Sequence, residues 1–491
     1  MNKRSAIMKE ISSALKKIKL GFCPIGKFVF SHEDALKYKK LIEKKLKQWD
    51  IDYLGIDGVV KDGIVRSVED VEPVVQHFRA NSIDGLFMPH CNFGTEHAVG
   101  LIGRNICVPV LLWGPRDEAP LPDGTRLRDT LCGLFASSKI LFKLGVQFTY
   151  IENCRINELA FEAGVKNFVR VMSVVKSFRG MRIGQIGSRI DFFWSTIINE
   201  SELLERFGIE ILPIDIIEVI KNTRRRAEKN FNRYMKELRE LSRAVKIVGY
   251  RNNLSVINNF ALRDEMLELA NRYNLSAFAF QSFMSVCDEL GTMVELAHAQ
   301  VSEAGYPVAT ETDIHGAISQ VLLQSASVNT QPAFLADFTI RHPNNDNGVL
   351  LWHCNFPLAL AKKRTNAALG PHWILPGIAP GSCHWLLRNG DITLTRFDGD
   401  RGEYCLAFGS GKTIPGPRTQ NTYVWIEVDD WRTWERQLIE GPFIHHVGAI
   451  YGQYAPILSE AAKYLPGIKP VPLGKNPGKI QDAFFSTLPL E

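Results

Sequence analysis

Two carboxylates and a group of histidines in the second half of this 491-residue chain have the side-chain chemistry to hold a divalent cation. Glu311 lies in Pro307-Val308-Ala309-Thr310-Glu311-Thr312-Asp313-Ile314-His315-Gly316-Ala317, where a short apolar run gives way to a helical one. The pattern predicts a strand ending at Glu311 and a helix capped by Thr310 or Thr312. Asp337 follows 26 residues later (337 − 311), in Phe334-Leu335-Ala336-Asp337-Phe338. That spacing fits an intervening helix and a return strand, so that both acids converge at one end of a sheet. His353 comes 16 residues further on (353 − 337), within the strand-like Val349–Asn355, and His445-His446 ends the apolar approach Gly441–Ile444. Two carboxylates with one or two histidines form an oxygen/nitrogen set suited to Mn²⁺ or Mg²⁺. None of these spacings is a local metal signature, and each residue also has a plain structural reading. Glu311 fits a helix start, Asp337 a turn or strand face, and His353 a hydrogen-bonded core histidine.

Bringing such residues together requires a scaffold, and the sequence changes grammar twice. In the first third, strand-like runs at Ile18–Cys23, Ile51–Ile56, Gly85–Pro89 and Cys107–Trp113 alternate with helical stretches at His32–Trp49, Val68–Ala80 and from Thr95. Such alternation predicts βαβ units and a parallel sheet, with ligands beyond the carboxyl ends of the strands. Two loops, His90–Glu96 and Gly114–Glu118, occupy such positions. A helix near Cys154–Phe178 leads to a second α/β unit. This unit runs through Met181–Gly187, Ile209–Pro213, one long charged helix from Ile217 to Ala244, Lys246–Tyr250, a helix at Asp264–Tyr273 and Ala277–Gln281. Beyond Leu335 the runs Phe334–Arg341, Gly348–Cys354, Asp391–Phe397, Glu403–Phe408 and Thr422–Val428 read as strands, with helices only at Asp430–Gln437 and Pro456–Tyr464. The expected fold is therefore α/β: two parallel-sheet α/β domains, 1–155 and 156–335, followed by a C-terminal β-rich, barrel-like domain, 336–491.

Several function classes drop out. With 45% hydrophobic and 23% charged residues, and Lys+Arg 58 against Asp+Glu 53, the chain lacks the strong basic bias of a nucleic-acid binder. Arg224-Arg225-Arg226 reads as a solvated helix face. Met1–Leu20 carries six basic residues and has neither the unbroken apolar stretch nor the cleavage site of a signal peptide, and no run suits a membrane span. Nine dispersed cysteines with no C-x-x-C pair predict reduced thiols in a cytoplasmic protein. Gly409-Ser410-Gly411-Lys412-Thr413 has the tail of a P-loop but lies among strands, so a hairpin turn is expected there. Gly184-x-x-Gly187 lacks the full dinucleotide fingerprint, which disfavours a nicotinamide-linked oxidoreductase.

These stretches together resemble the L-fucose isomerase/L-arabinose isomerase family of metal-dependent aldose–ketose isomerases. The resemblance rests on Asn92–Glu96 with Pro109–Glu118, on Ala309–Ala317, and on the β-rich end carrying Asp337, His353 and His445-His446. It implies that Glu311 and Asp337 bind Mn²⁺, or another divalent cation, and also act as acid/base residues. It implies too that His353 matches a histidine of the arabinose branch and that His446, or else His445, completes the metal shell. The reaction implied is isomerisation of an open-chain pentose or 6-deoxyhexose through a cis-enediolate. The family resemblance further implies a homo-oligomer, trimer or hexamer, with an active site shared between subunits. Trp113, Arg116, Asp117 and Glu118 then read as a sugar-binding lip for the neighbouring protomer. Their plain reading is a core tryptophan and an arginine pairing with the acids. Aspartate at 337 follows the fucose pattern and His353 the arabinose one, which leaves the sugar open, modified sugars included. The alternative is a non-catalytic sugar-binding or regulatory protein on the same scaffold, which would need no such set of acids and histidines.

Overall fold

The computed structural model describes residues 18–248, 254–283, 285–374 and 381–487. Most of the basic N-terminal stretch lies outside them, as do Gly249 and Tyr250 at the end of one expected strand. The chain divides into two compact units. One ends at Lys176 and takes in Ser459–Pro466 and the stretch from Gln481; the other runs from Ser177 to Leu458 and takes in Gly467–Ile480.

The first unit is built on five parallel strands in the order Tyr53–Leu54, Leu20–Phe22, Gly85–Pro89, Val110–Trp113, Phe148–Tyr150. Gly85–Pro89 and Val110–Trp113 are buried at every position, as expected of parallel strands covered on both faces. The helices between them follow local signals. His32–Gln48 starts where Asp34 N–H donates to the Ser31 hydroxyl and ends with Lys45 and Lys47 against its carboxyl pole.

The second unit holds two sheets. Val308–Ala309, Ala277–Phe280, Arg182–Ile186 and Glu210–Ile214 form a four-stranded parallel sheet in that order. The larger, mixed sheet contains a closed ring of six antiparallel strands. Glu403–Ile414, Asp391–Asp400, His446–Tyr451, Phe334–His342, Asn345–His353 and Thr422–Val428 pair in succession, and the last pairs back onto the first. Ile468–Pro472 adds to this ring on one strand, while Ser382–Leu386, Ala368–Gly370 and Lys246–Ile247 extend from another. The helix Ile314–Ala326 packs against strands of both sheets and is buried along its whole length. Its apolar residues lie on every face, as suits such a central helix, with His315, Ser319, Gln320, Gln324 and Ser325 buried among them. Its Ser319 hydroxyl donates to His315 O and accepts from Phe397 N–H (2.8 Å).

The two parallel-sheet α/β parts and the strand-rich C-terminal part thus agree with the expected fold class. Four details differ. The long charged helix is two, Ile216–Lys229 and Phe231–Leu241, because Asn230 leaves helical geometry and its side-chain amide donates back to Arg226 O. Lys246–Ile247 joins the mixed sheet through Ala368–Gly370, not the parallel one. Gly409–Thr413 is the body of a strand and not a turn; a Cβ at Gly409 would come within 2.4 Å of the Trp434 ring. Helices Ser285–Leu290 and Glu295–Glu303 fill the stretch between Gln281 and Pro307, where no element was expected. Among the described residues no helix is long and apolar enough to cross a membrane, and all nine cysteines are free thiols.

Candidate active site

Glu311 and Asp337 come together from two different sheets. The strand Val308–Ala309 ends short of Glu311, and both Glu311 and Thr312 then take left-handed backbone (φ 60° and 55°). That conformation costs an L-residue roughly 1–2 kcal/mol, and consecutive instances persist only where surroundings impose them. Three bonds do so here. Glu311 N–H donates to the Ser282 hydroxyl, Thr312 N–H to Phe280 O and the Thr312 hydroxyl to Ser188 O, each at 3.1 Å. The cap of the following helix is Asp313, not Thr310 or Thr312; its Oδ1 accepts from Gly316 N–H at 2.9 Å. Glycine is required at 316, where a Cβ would meet Asp313 Oδ2 at 2.4 Å.

Asp337 and His446 are direct partners across two strands of the ring, and Asp337 faces Trp352 on its other side. His446 Nε2 lies 3.1 Å from Glu311 Oε2 and 3.6 Å from Asp337 Oδ1. All three atoms are buried and none has a hydrogen bond of acceptable alignment. Converging, buried, unsatisfied ligand atoms of this O/O/N kind fit a divalent cation. His353 and the exposed His445 also reach this cluster, each within 4.8 Å of two of these residues' ligand atoms. The five candidate ligands therefore assemble at one place.

The two strand histidines differ in tautomer. His446 Nδ1 lies 2.9 Å from Asp313 Oδ2, so Nδ1 carries hydrogen and Nε2 faces the acids. His353 Nδ1 accepts from Cys354 N–H at 2.8 Å, and burial depresses its pKa to about 4. The neutral ring then holds its hydrogen on Nε2, 2.9 Å from the Thr310 hydroxyl oxygen. As arranged, His446 offers a lone pair to a cation when deprotonated, whereas His353 offers a hydrogen-bond donor.

Electrostatics are tightly linked. Burial opposes charge on His446, yet its contact with Asp313 and the nearby carboxylates of Glu311 and Asp337 outweigh it and raise its pKa to about 10. Burial, reinforced by the charges of Glu311 and Asp313 and opposed by His446, raises Asp337 to about 7. Burial pushes Glu311 up as well, but His446 overcomes that and holds it below the usual carboxylate range. Without a cation, protons occupy the place where positive charge is wanted.

Sequence reasoning missed the support behind this cluster. Arg396, from Asp391–Asp400, gives Asp313 two bonds (2.5 and 3.1 Å) and Asp398 one (2.8 Å), and Asp398 in turn faces His315 Nδ1 at 3.0 Å. Asp313, Arg396, Asp398 and His315 are all buried. Asp313 was visible as a polar residue at the mouth of a helix, but nothing in a β-strand pattern marks Arg396 as a partner 83 residues away.

The four lip candidates belong to the first unit. Trp113 is fully buried at the end of its strand, its ring 4.2 Å from Phe161. Arg116 is exposed, and it is Arg128, not Arg116, that pairs with Asp117 (3.2 Å), Glu118 and Asp34. Asp117 also accepts from Thr130 N–H at 2.9 Å, so the loop is well ordered by its own polar groups.

Comparison with known proteins bears on the same scaffold. The profile of the family described as "Fucose/sulfoquinovose isomerase, N-terminal domain" matches residues 21–179. A sulfoquinovose isomerase from Priestia aryabhattai is 24% identical over 457 residues, spanning 90% of this chain and 97% of that protein, and one from Priestia megaterium matches equally. A sulfoquinovose isomerase from Alkalicoccus urumqiensis is 26% identical over 361 residues, 73% of this chain and 78% of that protein.

Proposed function

Because the chain belongs to the fucose isomerase-like family, we propose that it is a metal-dependent aldose–ketose isomerase acting on an open-chain sugar. The observation that supports this most directly is the convergence of buried, unsatisfied Glu311 Oε2, Asp337 Oδ1 and His446 Nε2. In this reading these residues hold Mn²⁺ or a related cation, with His445 beside them. When bound, the cation supplies Lewis acidity toward the sugar's carbonyl and neighbouring hydroxyl oxygens.

The chain's own residues carry the protons. Isomerisation of an aldose moves one proton from C2 to C1 and one from O2 to O1, by way of a cis-enediolate. Glu311, held ionised, is placed to take the C2 proton. The same carboxylate, or Asp337 facing it, is placed to return a proton to C1. His353 Nε2–H donates toward a substrate oxygen in place of the Thr310 hydroxyl. A cavity of about 210 Å³, on the scale of one monosaccharide, opens onto these groups.

A homo-oligomer, trimer or hexamer, with a shared active site belongs to the same proposal. Around the cavity, Phe192, Trp194, Trp373 and Ile374 are 66%, 75%, 50% and 54% exposed. Phe192 lies tilted against Phe193 and edge-on to Phe283 of the lining, and Trp373 lies edge-on to Trp352. An apolar rim of this kind favours cover by another protein surface. Arg116, Asp117 and Glu118, anchored by Trp113, are the candidates for a lip reaching a neighbour's sugar. The free thiols favour a reducing, cytoplasmic setting.

The test is conversion of a panel of pentoses, 6-deoxyhexoses and sulfonated sugars, with Mn²⁺ and after chelation. Metal-dependent conversion of one sugar is expected. Sugar binding without any conversion would overturn the enzymatic reading in favour of a sugar-binding protein.

A further inference from the structure

The cavity that opens onto Glu311 and Asp337 has a second polar pole that the isomerisation chemistry does not use. Glu295, in the first turn of Glu295–Glu303, is 3% exposed and lines the cavity, and its Oε2 has no hydrogen-bond partner. Its Oε1 is 3.8 Å from His372 Nε2, which in turn is 2.9 Å from Cys354 Sγ. His372 Nδ1 accepts from Ile374 N–H at 3.2 Å, so the neutral ring carries its hydrogen on Nε2. That tautomer presents a donor and no lone pair to the cluster. It therefore argues against a second cation there, although the three residue types could ligate one. The remaining walls are largely apolar, with Phe193, Phe283, Met293 and Trp352 among them.

We propose that Glu295 and His372 form the subsite for the unreactive end of the sugar, and that they recognise its hydroxyl groups. The proposal rests on the isomerase reading above. A sugar held at C1 and C2 by the Glu311/Asp337 end extends its remaining carbons along this small cavity, and the other polar groups it meets include Glu295 and His372. A hydroxyl both donates and accepts; Glu295 Oε2 supplies an acceptor, and His372 Nε2–H, which rests against Cys354 Sγ, a donor that a hydroxyl can share. Burial keeps the Glu295 carboxyl protonated well into the neutral range, with a pKa of about 8, which adds a donor. Among the described residues lining the cavity there is no Lys or Arg. From the described residues of its own chain an anionic end group would meet no cation there and would face a carboxyl. The occupant is a neutral, hydroxylated sugar end and not a sulfonate.

The test uses full-length protein loaded with Mn²⁺. Binding of pentitols and 6-deoxyhexitols, each with and without single hydroxyls beyond C3, is measured by calorimetry for wild type, E295A, E295Q and H372A. Wild type is expected to prefer at least one polyol over its deoxy analogue by about tenfold or more, since a buried polar group left unpaired penalises the analogue. E295A should shrink that preference to within about twofold while still binding one Mn²⁺, and E295Q, which keeps a donor and an acceptor, should restore most of it. Undiminished preference in E295A overturns the subsite, as does a sulfonated polyol binding more tightly than its neutral counterpart. Failure of any polyol to bind metal-loaded wild type also overturns it. Failure of wild type to bind Mn²⁺ at all is a different result, and it removes the isomerase reading itself.

Discussion

The imidazole of His446 and the carboxylate of Asp313 meet at 2.9 Å through Nδ1 and Oδ2, with the Arg396 guanidinium bonded to the same carboxylate. Asp313 therefore has three tasks at once: it caps the central helix, neutralises a buried arginine and fixes the tautomer of a candidate ligand. Arg396 and His446 oppose the effect of burial and hold Asp313 far below the usual carboxylate range, so this carboxylate stays ionised throughout the physiological range. A carboxylate behind a metal-binding histidine raises its basicity and locks its ring.

Replacing Asp313 with asparagine keeps the cap and the volume but removes the charge. Mn²⁺ affinity, measured by calorimetry, is expected to fall about 10–100-fold. The variant should also lose stability on the order of 3–5 kcal/mol in urea unfolding, because Arg396 loses a buried partner. Unchanged affinity would show that Asp313 does not act through His446.

E311Q and D337N keep shape and lose the acid/base function. Each is expected to lower kcat by about 10²–10⁴-fold, with the circular-dichroism spectrum unchanged. Turnover within a few-fold of wild type in either variant would remove that residue from the chemistry.

Metal affinity should rise with pH. His446 and Asp337 both have folded-state values raised above the ordinary ones, to about 10 and about 7, so both retain protons that a cation has to displace. Calorimetry in buffers of different ionisation enthalpy should show about two protons released per Mn²⁺ below about pH 7 and about one above it. Apparent affinity then climbs about a hundredfold and about tenfold per pH unit in the two ranges. A flat profile would contradict the ligand assignment.

The two strand histidines should separate in one experiment. H446Q removes the lone pair facing the acids and is expected to abolish tight Mn²⁺ binding. H353Q removes a donor and should leave Mn²⁺ affinity within about threefold while lowering kcat, because the hydrogen of His353 sits on Nε2. Equal loss of metal in both variants would instead make His353 a ligand.

Much of this architecture was legible from periodicity. Gly85–Pro89 and Thr422–Val428 have the bounds their apolar patterns imply, and the order of parallel and then β-rich parts follows from the change of grammar near Leu335. The helix break at Asn230 was not, because charged residues continue across it and the chain leaves helical geometry at that single residue, whose side chain bonds back to Arg226 O. The acids and histidines could be picked out by type, but not their convergence from separate sheets. Helix, strand and spacing describe neighbours along the chain, whereas the Asp313–Arg396 pair and Glu295 depend on which distant segments pack together. Buried polar residues on apolar elements carry no periodic signal.

The ring of six strands has a mechanical consequence for the pair Asp337–His446. A sheet closed on itself has no free edge along which a strand can slide, and a slip of one residue would turn both side chains to the opposite face. The spacing between these two groups is thus set as rigidly as hydrogen-bond register allows. Glu311 comes from a left-handed turn held by three hydrogen bonds. The cluster works like a vice whose two jaws both have fixed backbones, and adjustment to a larger or smaller cation falls to the longer side chain of Glu311.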